Sequence, residues 1–235
     1  MKNPPTLFTT IKIEEGQPQL LDEHIRKLQK DYQVLFQKEL KIPMKQILEN
    51  LKEAEYQSDI WRLNLFAGSS FSYKIRKEPS FQKEHFSLKI YPKPFYEELP
   101  QYKKENFSKR KELLLEAQSK GFDDYLFVDE KGHFLETCIC NLFWIKGKII
   151  YTPSHKLPLY FGVTLQNILR IGKKWGFQIQ EVFEKDIQTL TNSHLFVCNS
   201  MKGALPVKLL GSLELKIDLD LFKDFKRAYF PLNAL

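Results

Sequence analysis

Residues 136–144 read ETCICNLFW, and residues 145–151 continue as IKGKIIY. Two short apolar runs, 141–145 and 148–151, are separated here by a Lys-Gly turn. Short runs rich in branched and aromatic side chains, bounded by turn residues, are typical of β-strands. We therefore predict two successive strands, with the carboxylate of Glu136 shortly before the first of them.

The sequence on both sides of this stretch adds further strands and helices. Asn106 or Ser108 can cap a helix over 106–120, because short polar side chains accept hydrogen bonds from a first helical turn. Gly121 suits the C-terminal end of that helix. We also predict strands over 124–128, 177–183 and 194–198, a helix over 165–176, and a last helix or extended end over 216–228.

The N-terminal part of the chain ends in a proline-rich connector. Residues 91–100 contain three prolines, which remove backbone donors and fix φ, so we place a domain boundary near residue 100. The chain is therefore predicted to be α+β, with a small N-terminal α/β domain over 1–100 and a larger domain over 101–235. In the first domain we predict strands over 6–14, 61–66, 70–75 and 86–91, and helices over 20–36 and 43–54.

Composition favours a folded protein without a nucleic-acid interface. Of the 235 residues, 43% are hydrophobic and 28% are charged, which is typical of a globular chain and not of a disordered one. The formal net charge is +7, but the basic residues are spread along the chain, with one modest cluster over 103–111. Such a distribution indicates solvated surface, and it also suits small anionic substrates or cofactors.

The three cysteines give no disulfide framework and no metal site. Cys138 and Cys140 are spaced too tightly for a zinc pair, and with Cys198 the count is odd. If Cys138 and Cys140 lie on a strand, they share one face. The first residues lack an apolar signal segment, and no apolar run approaches the ~18 residues of a membrane span. We expect a protein of the reducing cytoplasm that binds neither nucleic acid nor membrane.

Beyond this architecture, the sequence resembles the class IV aminotransferases, enzymes of fold type IV that use pyridoxal 5'-phosphate (PLP). The resemblance implies a D-amino acid aminotransferase-like two-domain fold, a small domain shortened at its N-terminus, PLP in the larger domain, and a homodimer. Each motif alone is weak, but their common order is specific. The motifs are FTT at 8–10, EHIRKL at 23–28, RLNL at 62–65, ETCICNLFW at 136–144, YTP at 151–153, GVT at 162–164 and VCNS at 197–200.

The resemblance assigns cofactor contacts to five residues besides the lysine that would bind PLP covalently. Glu136 would face the PLP ring nitrogen, because a carboxylate there keeps the nitrogen protonated. An arginine fork, hydroxyl groups and the N–H groups of a helix N-terminus would bind the phosphate. These phosphate ligands would be Arg62, Val163, Thr164 and Ser200, and the family's arginine after Gly-Val-Thr is replaced here by Leu165.

The lysine that would form the Schiff base with PLP is Lys103. The family places this lysine about one turn before an asparagine, and Asn106 follows Lys103 by three residues. Lys104 and Lys109 remain alternatives, and a lysine in so basic a run is otherwise a solvated side chain. At the site, Lys103 would act as nucleophile and general base.

The segment at residues 8–10 indicates the subgroup. Phe-Thr-Thr resembles the lyase form of a segment that is often Phe-Glu-Gly in transaminases, and Phe8 and Thr10 should point together into the pocket of an amine substrate. His24 and Arg26 are interpreted as surface residues of the first helix. Within the family, the sequence looks most like aminodeoxychorismate lyases, which release 4-aminobenzoate and pyruvate for folate biosynthesis. A branched-chain or D-amino acid aminotransferase is the alternative, and a degenerate, non-enzymatic member is a third hypothesis.

Overall fold

The chain folds around two separate β-sheets. The computed structural model describes residues 5–79, 83–105 and 108–229. Two compact units divide the chain: the first comprises residues 1–82 and 102–107, and the second comprises residues 83–101 and 108–235. Each unit contains one of the sheets.

The first unit is a four-stranded antiparallel sheet with helices. Its elements are β1 (Leu7–Glu14), β2 (Gln17–Pro18), α1 (Leu21–Phe36), α2 (Met44–Asn50), a 3-10 helix (Ala54–Gln57), β3 (Ile60–Ala67) and β4 (Phe71–Glu78). The strand order is β2-β1-β3-β4, and β1 pairs with β3 so that Thr10 lies opposite Asn64.

Alternation along β1 and β3 gives this sheet two different faces. Side chains of a strand point alternately to opposite sides. Ile11 on β1 and Leu63 and Leu65 on β3 are fully buried and share one apolar cluster with Leu28 and Tyr32 of α1. The other face is consequently the polar one, and it includes Thr10 and Asn64, whose side chains are hydrogen-bonded to each other.

Residues 102–105 belong to the first unit because they run alongside the start of β1. The Phe8 N–H donates to the Lys103 carbonyl at 2.9 Å, and the Glu105 N–H donates to the Thr6 carbonyl at 2.9 Å. An isolated antiparallel bridge pairs Leu7 with Lys104. These backbone bonds fix the position of Lys103 relative to β1.

The second unit is built on a nine-stranded mixed sheet. The elements are β5 (Phe86–Ile90), α3 (Ser108–Ser119), β6 (Asp124–Val128), β7 (Phe134–Thr137), β8 (Asn141–Lys146), β9 (Ile149–Pro153), α4 (Val163–Lys174), β10 (Gln178–Val182), α5 (Ile187–Thr191), β11 (His194–Asn199), β12 (Gly203–Leu210), β13 (Leu213–Glu214) and α6 (Leu219–Tyr229). The strand order is β10-β9-β8-β11-β12-β5-β6-β7, and β13 pairs with β12. One core cluster joins Leu142 and Phe196 of the sheet to Ile168 of α4, and a second joins Phe127 to Leu113 of α3.

The division of the chain differs from the expected boundary near residue 100. Residues 83–101 belong to the second unit because β5 pairs in parallel with β6 and β12. Residues 103–105 belong to the first unit through their backbone pairing with the start of β1. Strand pairing, which a local pattern does not report, therefore decides the boundary.

Most predicted elements are present, with some differences at their ends. The helix expected over 43–54 ends at Asn50, and the helix expected over 106–120 is described from Ser108, since Asn106 lies outside the described residues. Cys138 and Cys140 are buried, but they lie in the bend between β7 and β8 and not on a strand. Within the described ranges, no helix combines the length and apolar character needed to cross a bilayer.

Candidate active site

Lys103 lies against the polar face of β1. Its Nζ is 3.2 Å from the Thr10 hydroxyl oxygen and 4.7 Å from the centre of the Phe8 ring. Phe8 and Thr10 therefore point the same way, as the alternation of a strand requires. A cation over a ring face is attracted by the ring's quadrupole, so Phe8 and Thr10 together orient the Lys103 amine.

The Thr10 hydroxyl is itself held by a neighbouring strand. The Asn64 side-chain amide on β3 donates to the Thr10 Oγ at 2.9 Å, and Thr10 is only 4% exposed. A hydroxyl oxygen has two acceptor lone pairs, and here one receives the Asn64 amide while the other faces the Lys103 ammonium. Thr10 is thus a fixed acceptor for the lysine.

His24 is buried beneath β1, and its interpretation as a helix-surface residue is wrong. Its Nδ1 is 2.7 Å from the Thr9 hydroxyl oxygen. Burial and, to a lesser degree, the positive charge of Lys103 together lower the pKa of His24 to about 3, so the ring is neutral at neutral pH. The sequence did indicate that His24 is buried, because His24 stands four residues before Leu28 and therefore lies on the same, buried face of the helix.

Arg62 is engaged by a carboxylate of the same sheet. Its Nε is 2.7 Å from Glu78 Oε1, and its Nη2 donates to Glu78 Oε2 at 3.0 Å. Arg76 shares that carboxylate at 2.9 Å. As a phosphate ligand, Arg62 would have to exchange or share this pairing, and its assignment stays a prediction.

A cavity of about 690 Å³ in the first unit is lined by Phe8, Arg62, Asn64, Phe66, Lys74 and Arg76, among other residues.

Glu136 is a buried carboxylate on β7 of the second unit. Its Oε1 accepts hydrogen bonds from Arg110 Nη2 at 2.8 Å and from the Tyr160 backbone N–H at 3.0 Å. Its Oε2 accepts one from the Asn141 side-chain amide at 3.2 Å. Burial raises the pKa of Glu136, while the charge of Arg110 and the Tyr160 N–H oppose that rise. Every one of these contacts is an N–H donor, and such donors favour the ionised form.

Asn141 connects Glu136 to the loop that precedes α4. Its side-chain amide also donates to the Tyr160 carbonyl at 2.5 Å, and its Oδ1 accepts the Gly162 N–H at 3.1 Å. A Cβ atom built on Gly162 would lie 2.4 Å from Asn141 Oδ1, so the close approach requires glycine. The two motifs NLFW and GVT therefore meet at one hydrogen-bonded junction.

Three of the four predicted phosphate ligands lie in the second unit: Val163 and Thr164 begin α4, and Ser200 directly follows β11. Gln166 makes the first intrahelical bond, to the Gly162 carbonyl, so the N–H groups of residues 163–165 point out of the helix end. The Thr164 and Ser200 hydroxyl oxygens are 3.4 Å apart. Backbone N–H groups and two hydroxyls at a positive helix end suit a phosphate. Leu165, which departs from the family, is buried in the core.

Two buried contacts near Glu136 were not predicted from the sequence. The buried pairing of Arg110 with Glu136 was hidden because Arg110 stands in the basic run 103–111, which was interpreted as solvated. The second is the contact of Asp124 with the bend between β7 and β8. Its carboxylate accepts from the Cys138 and Ile139 N–H groups, which follow Glu136 closely. No local sequence signal distinguishes Asp124 from a surface aspartate.

Comparison with known proteins places the chain in one family. The model of the family described as Amino-transferase class IV matches residues 6–210. An aminodeoxychorismate lyase of Bacillus subtilis is 28% identical over 229 residues, covering 85% of this chain and 75% of that protein. One from Vibrio harveyi is 29% identical over 125 residues, covering 52% of this chain and only 46% of that protein. A probable branched-chain-amino-acid aminotransferase of Rickettsia conorii is 33% identical over 113 residues, covering 48% of this chain and 38% of that protein.

A solved structure supports the same fold. A putative 4-amino-4-deoxychorismate lyase from Legionella pneumophila superposes with a TM-score of 0.83 at 20% identity, covering 96% of this chain and 91% of that one. A fold IV-transaminase from Curtobacterium pusillum also superposes, with a TM-score of 0.85 at 16% identity, covering 97% of this chain and 87% of that one. At these identities the likeness shows the fold, which is the expected α+β fold of type IV. The family match extends over most of the chain and supports the expected cofactor. The chain therefore belongs to the class IV aminotransferase family and is a PLP-dependent enzyme.

Proposed function

We propose that this enzyme is an aminodeoxychorismate lyase, which converts 4-amino-4-deoxychorismate into 4-aminobenzoate and pyruvate. The observation that carries the proposal is the Thr10 hydroxyl 3.2 Å from Lys103 Nζ. In the Phe-Glu-Gly segment that transaminases often have, a glycine stands in the place of Thr10 and offers no side chain. The lyase relatives from Bacillus and Vibrio support the same reading.

The residues of the second unit fit the chemical groups of PLP. Among residues 5–79, 83–105 and 108–229, Glu136 Oε2 accepts a single hydrogen bond, so this buried oxygen has acceptor capacity for a protonated ring nitrogen. Thr164, Ser200 and the first N–H groups of α4 would hold the phosphate. When bound, PLP withdraws electrons from the carbon next to the substrate nitrogen.

Lys103 would serve the reaction twice, first as a base and then as an acid. Its Nζ removes the proton from the amine-bearing carbon, and the C–O bond to the enolpyruvyl group breaks as the ring becomes aromatic. The same Nζ then returns the proton to the departing enolpyruvate, which leaves as pyruvate, so atoms and charge balance. Thr10 and Phe8 hold the amine on the face of β1 where both transfers start.

One assay separates the lyase from the alternative, an amino acid aminotransferase, which the Rickettsia relative supports. Enzyme loaded with PLP is given 4-amino-4-deoxychorismate without any 2-oxo acid, and 4-aminobenzoate and pyruvate are quantified. A lyase forms both products in equal amounts over many turnovers. An aminotransferase stops after one equivalent until a 2-oxo acid is added, and that outcome would refute the lyase proposal.

The proposal also covers the oligomeric state of the enzyme and its cellular compartment. We propose a homodimer, which the family resemblance supports. We place the enzyme in the cytoplasm, since its three cysteines are free, buried thiols and free thiols suit a reducing compartment.

A further inference from the structure

Arg110 is a buried cation on a helix whose neighbouring cations are exposed. Its side chain is 8% exposed, whereas Lys109 and Lys111, on either side of it in α3, are exposed. A buried guanidinium is costly unless its donors are satisfied. The groups that satisfy these donors therefore indicate the role of the Arg110 side chain.

The guanidinium connects two carboxylates. Its Nη2 is 2.8 Å from Glu136 Oε1 and 2.8 Å from Glu97 Oε2. Its Nε donates to Glu97 Oε2 at 2.9 Å, and its Nη1 donates to the Thr137 carbonyl at 3.2 Å. Arg110 thus contacts both the side chain of Glu136 and the backbone of the next residue on β7.

Two stacked rings lie beside this guanidinium. Its central carbon is 5.1 Å from the centre of the Phe95 ring and 5.7 Å from that of Phe127, and the two rings stack on each other at 3.8 Å. The rings therefore border the guanidinium from one side, while its hydrogen bonds to Glu97, Glu136 and the Thr137 carbonyl set its orientation.

We propose that Arg110 is a positioning residue for the cofactor: it keeps Glu136 ionised and aims its Oε2 at the PLP ring nitrogen. The inference rests on the proposed contact between Glu136 and that nitrogen. Arg110 occupies Oε1, together with the Tyr160 N–H. Oε2 is left with the Asn141 amide and room for one further donor.

The electrostatic argument follows from the groups that face Glu136. Burial raises the pKa of Glu136, the positive charge of Arg110 and the Tyr160 N–H lower it, and the negative charge of Glu97 raises it slightly. Burial alone would lower the pKa of Arg110, but Glu136 and Glu97 outweigh burial and raise it. Without Arg110, the buried Glu136 would take up a proton and could no longer stabilise a protonated ring nitrogen.

The first test uses the protein without PLP, so that it is independent of turnover. Infrared difference spectra between Arg110→Met and the double variant Arg110→Met/Glu136→Gln, at neutral pH, isolate the carboxyl of Glu136. We expect a protonated-carboxyl band in Arg110→Met that is absent from the wild type and from the Lys111→Met control. A folded Arg110→Met without this band, or a wild type that already has it, would overturn the inference.

If Arg110→Met does not fold, Glu97→Gln provides the same test with opposite sign. This change removes the negative charge of Glu97, which raises the pKa of Glu136, and leaves Glu136 as the one carboxylate of the pair that still contacts Arg110. The pH midpoint of the Glu136 carboxyl band should therefore move to lower pH. An unchanged or raised midpoint would contradict the electrostatic role.

The second test uses the PLP-loaded protein and the pH dependence of its visible absorbance. We expect Arg110→Met to match Glu136→Gln, and Arg110→Lys to return towards the wild-type profile because it restores the charge. If Glu136→Gln changes the profile and Arg110→Met does not, Arg110 has no positioning role. If neither Glu136→Gln nor Arg110→Met changes the absorbance profile, Glu136 does not contact the ring nitrogen. The lyase assay tests the proposed reaction independently of that result.

Discussion

At the scale of single residues, the candidate groups of each unit are polar side chains, each held by a neighbour in its own unit. Thr10 holds the Lys103 amine and is itself held by Asn64. Glu136 is held by Arg110 and Asn141. Fixed orientations of this kind are what general base catalysis and electrostatic stabilisation require, because rates fall steeply when groups are misplaced.

Lys103→Ala should abolish both turnover and covalent attachment of PLP, since the nucleophile and the general base are lost together. Borohydride reduction followed by peptide mass spectrometry identifies the modified lysine, and the visible absorbance of the loaded enzyme reports attachment. Lys104→Ala and Lys109→Ala serve as matched controls that should keep both. If Lys104→Ala is the inactive variant, the attachment point is displaced by one residue, and if all three stay active, the proposed mechanism is wrong.

Glu136→Ala should leave PLP bound through its phosphate while slowing turnover by roughly 10²-fold or more, the usual effect of losing one electrostatic stabiliser. Turnover is compared with the dissociation constant of PLP measured by equilibrium dialysis. Near-normal turnover would remove Glu136 from the site.

At the scale of elements, loops and strand ends supply the site residues. The start of α4, the end of β7 and the segment beside β1 all carry candidate groups. The strongest geometric constraint is the contact between Gly162 and Asn141, where the loop before α4 crosses the start of β8.

Gly162→Ala should destabilise the protein by about 1–3 kcal/mol, the range for overpacking a closed site. The backbone at Gly162 has φ −75°, which alanine adopts readily, so the effect comes from the contacts of the new Cβ, chiefly the one with Asn141 Oδ1 and to a lesser degree the one with the Tyr160 ring. Urea unfolding of the PLP-free protein measures it. Asn141→Ala/Gly162→Ala should be more stable than the sum of the single changes implies, because the smaller side chain removes the contact. Additive effects would show that the contact is not the cause.

At the scale of the whole molecule, light scattering should give a mass near twice the 27.9 kDa of one chain at micromolar concentration. Oligomers of identical chains are most often two-fold dimers, and β4 is an edge strand that a partner could cover. The control is turnover at the same concentration. A fully active monomer would contradict the proposed dimer.

Local patterns were sufficient to predict most helices and strands of this protein. The strand over 124–128 is observed with the predicted bounds, because its apolar run lies between clear turns. β7 (Phe134–Thr137) was missed because four residues are too few for a period. β12 (Gly203–Leu210) was missed as well, and it contains a proline, which argues against a strand.

The sequence by itself determined the family, the cofactor and the identity of most candidate residues, since these depend on residue types in a fixed order. Tertiary structure alone decided which unit residues 83–101 and 102–107 join, because backbone pairing between distant strands is absent from local periodicity. It also turned Arg110 from one cation in a basic run into the buried partner of Glu136. Burial and long-range contacts set the charge state of a side chain, and only the folded chain brings those contacts together.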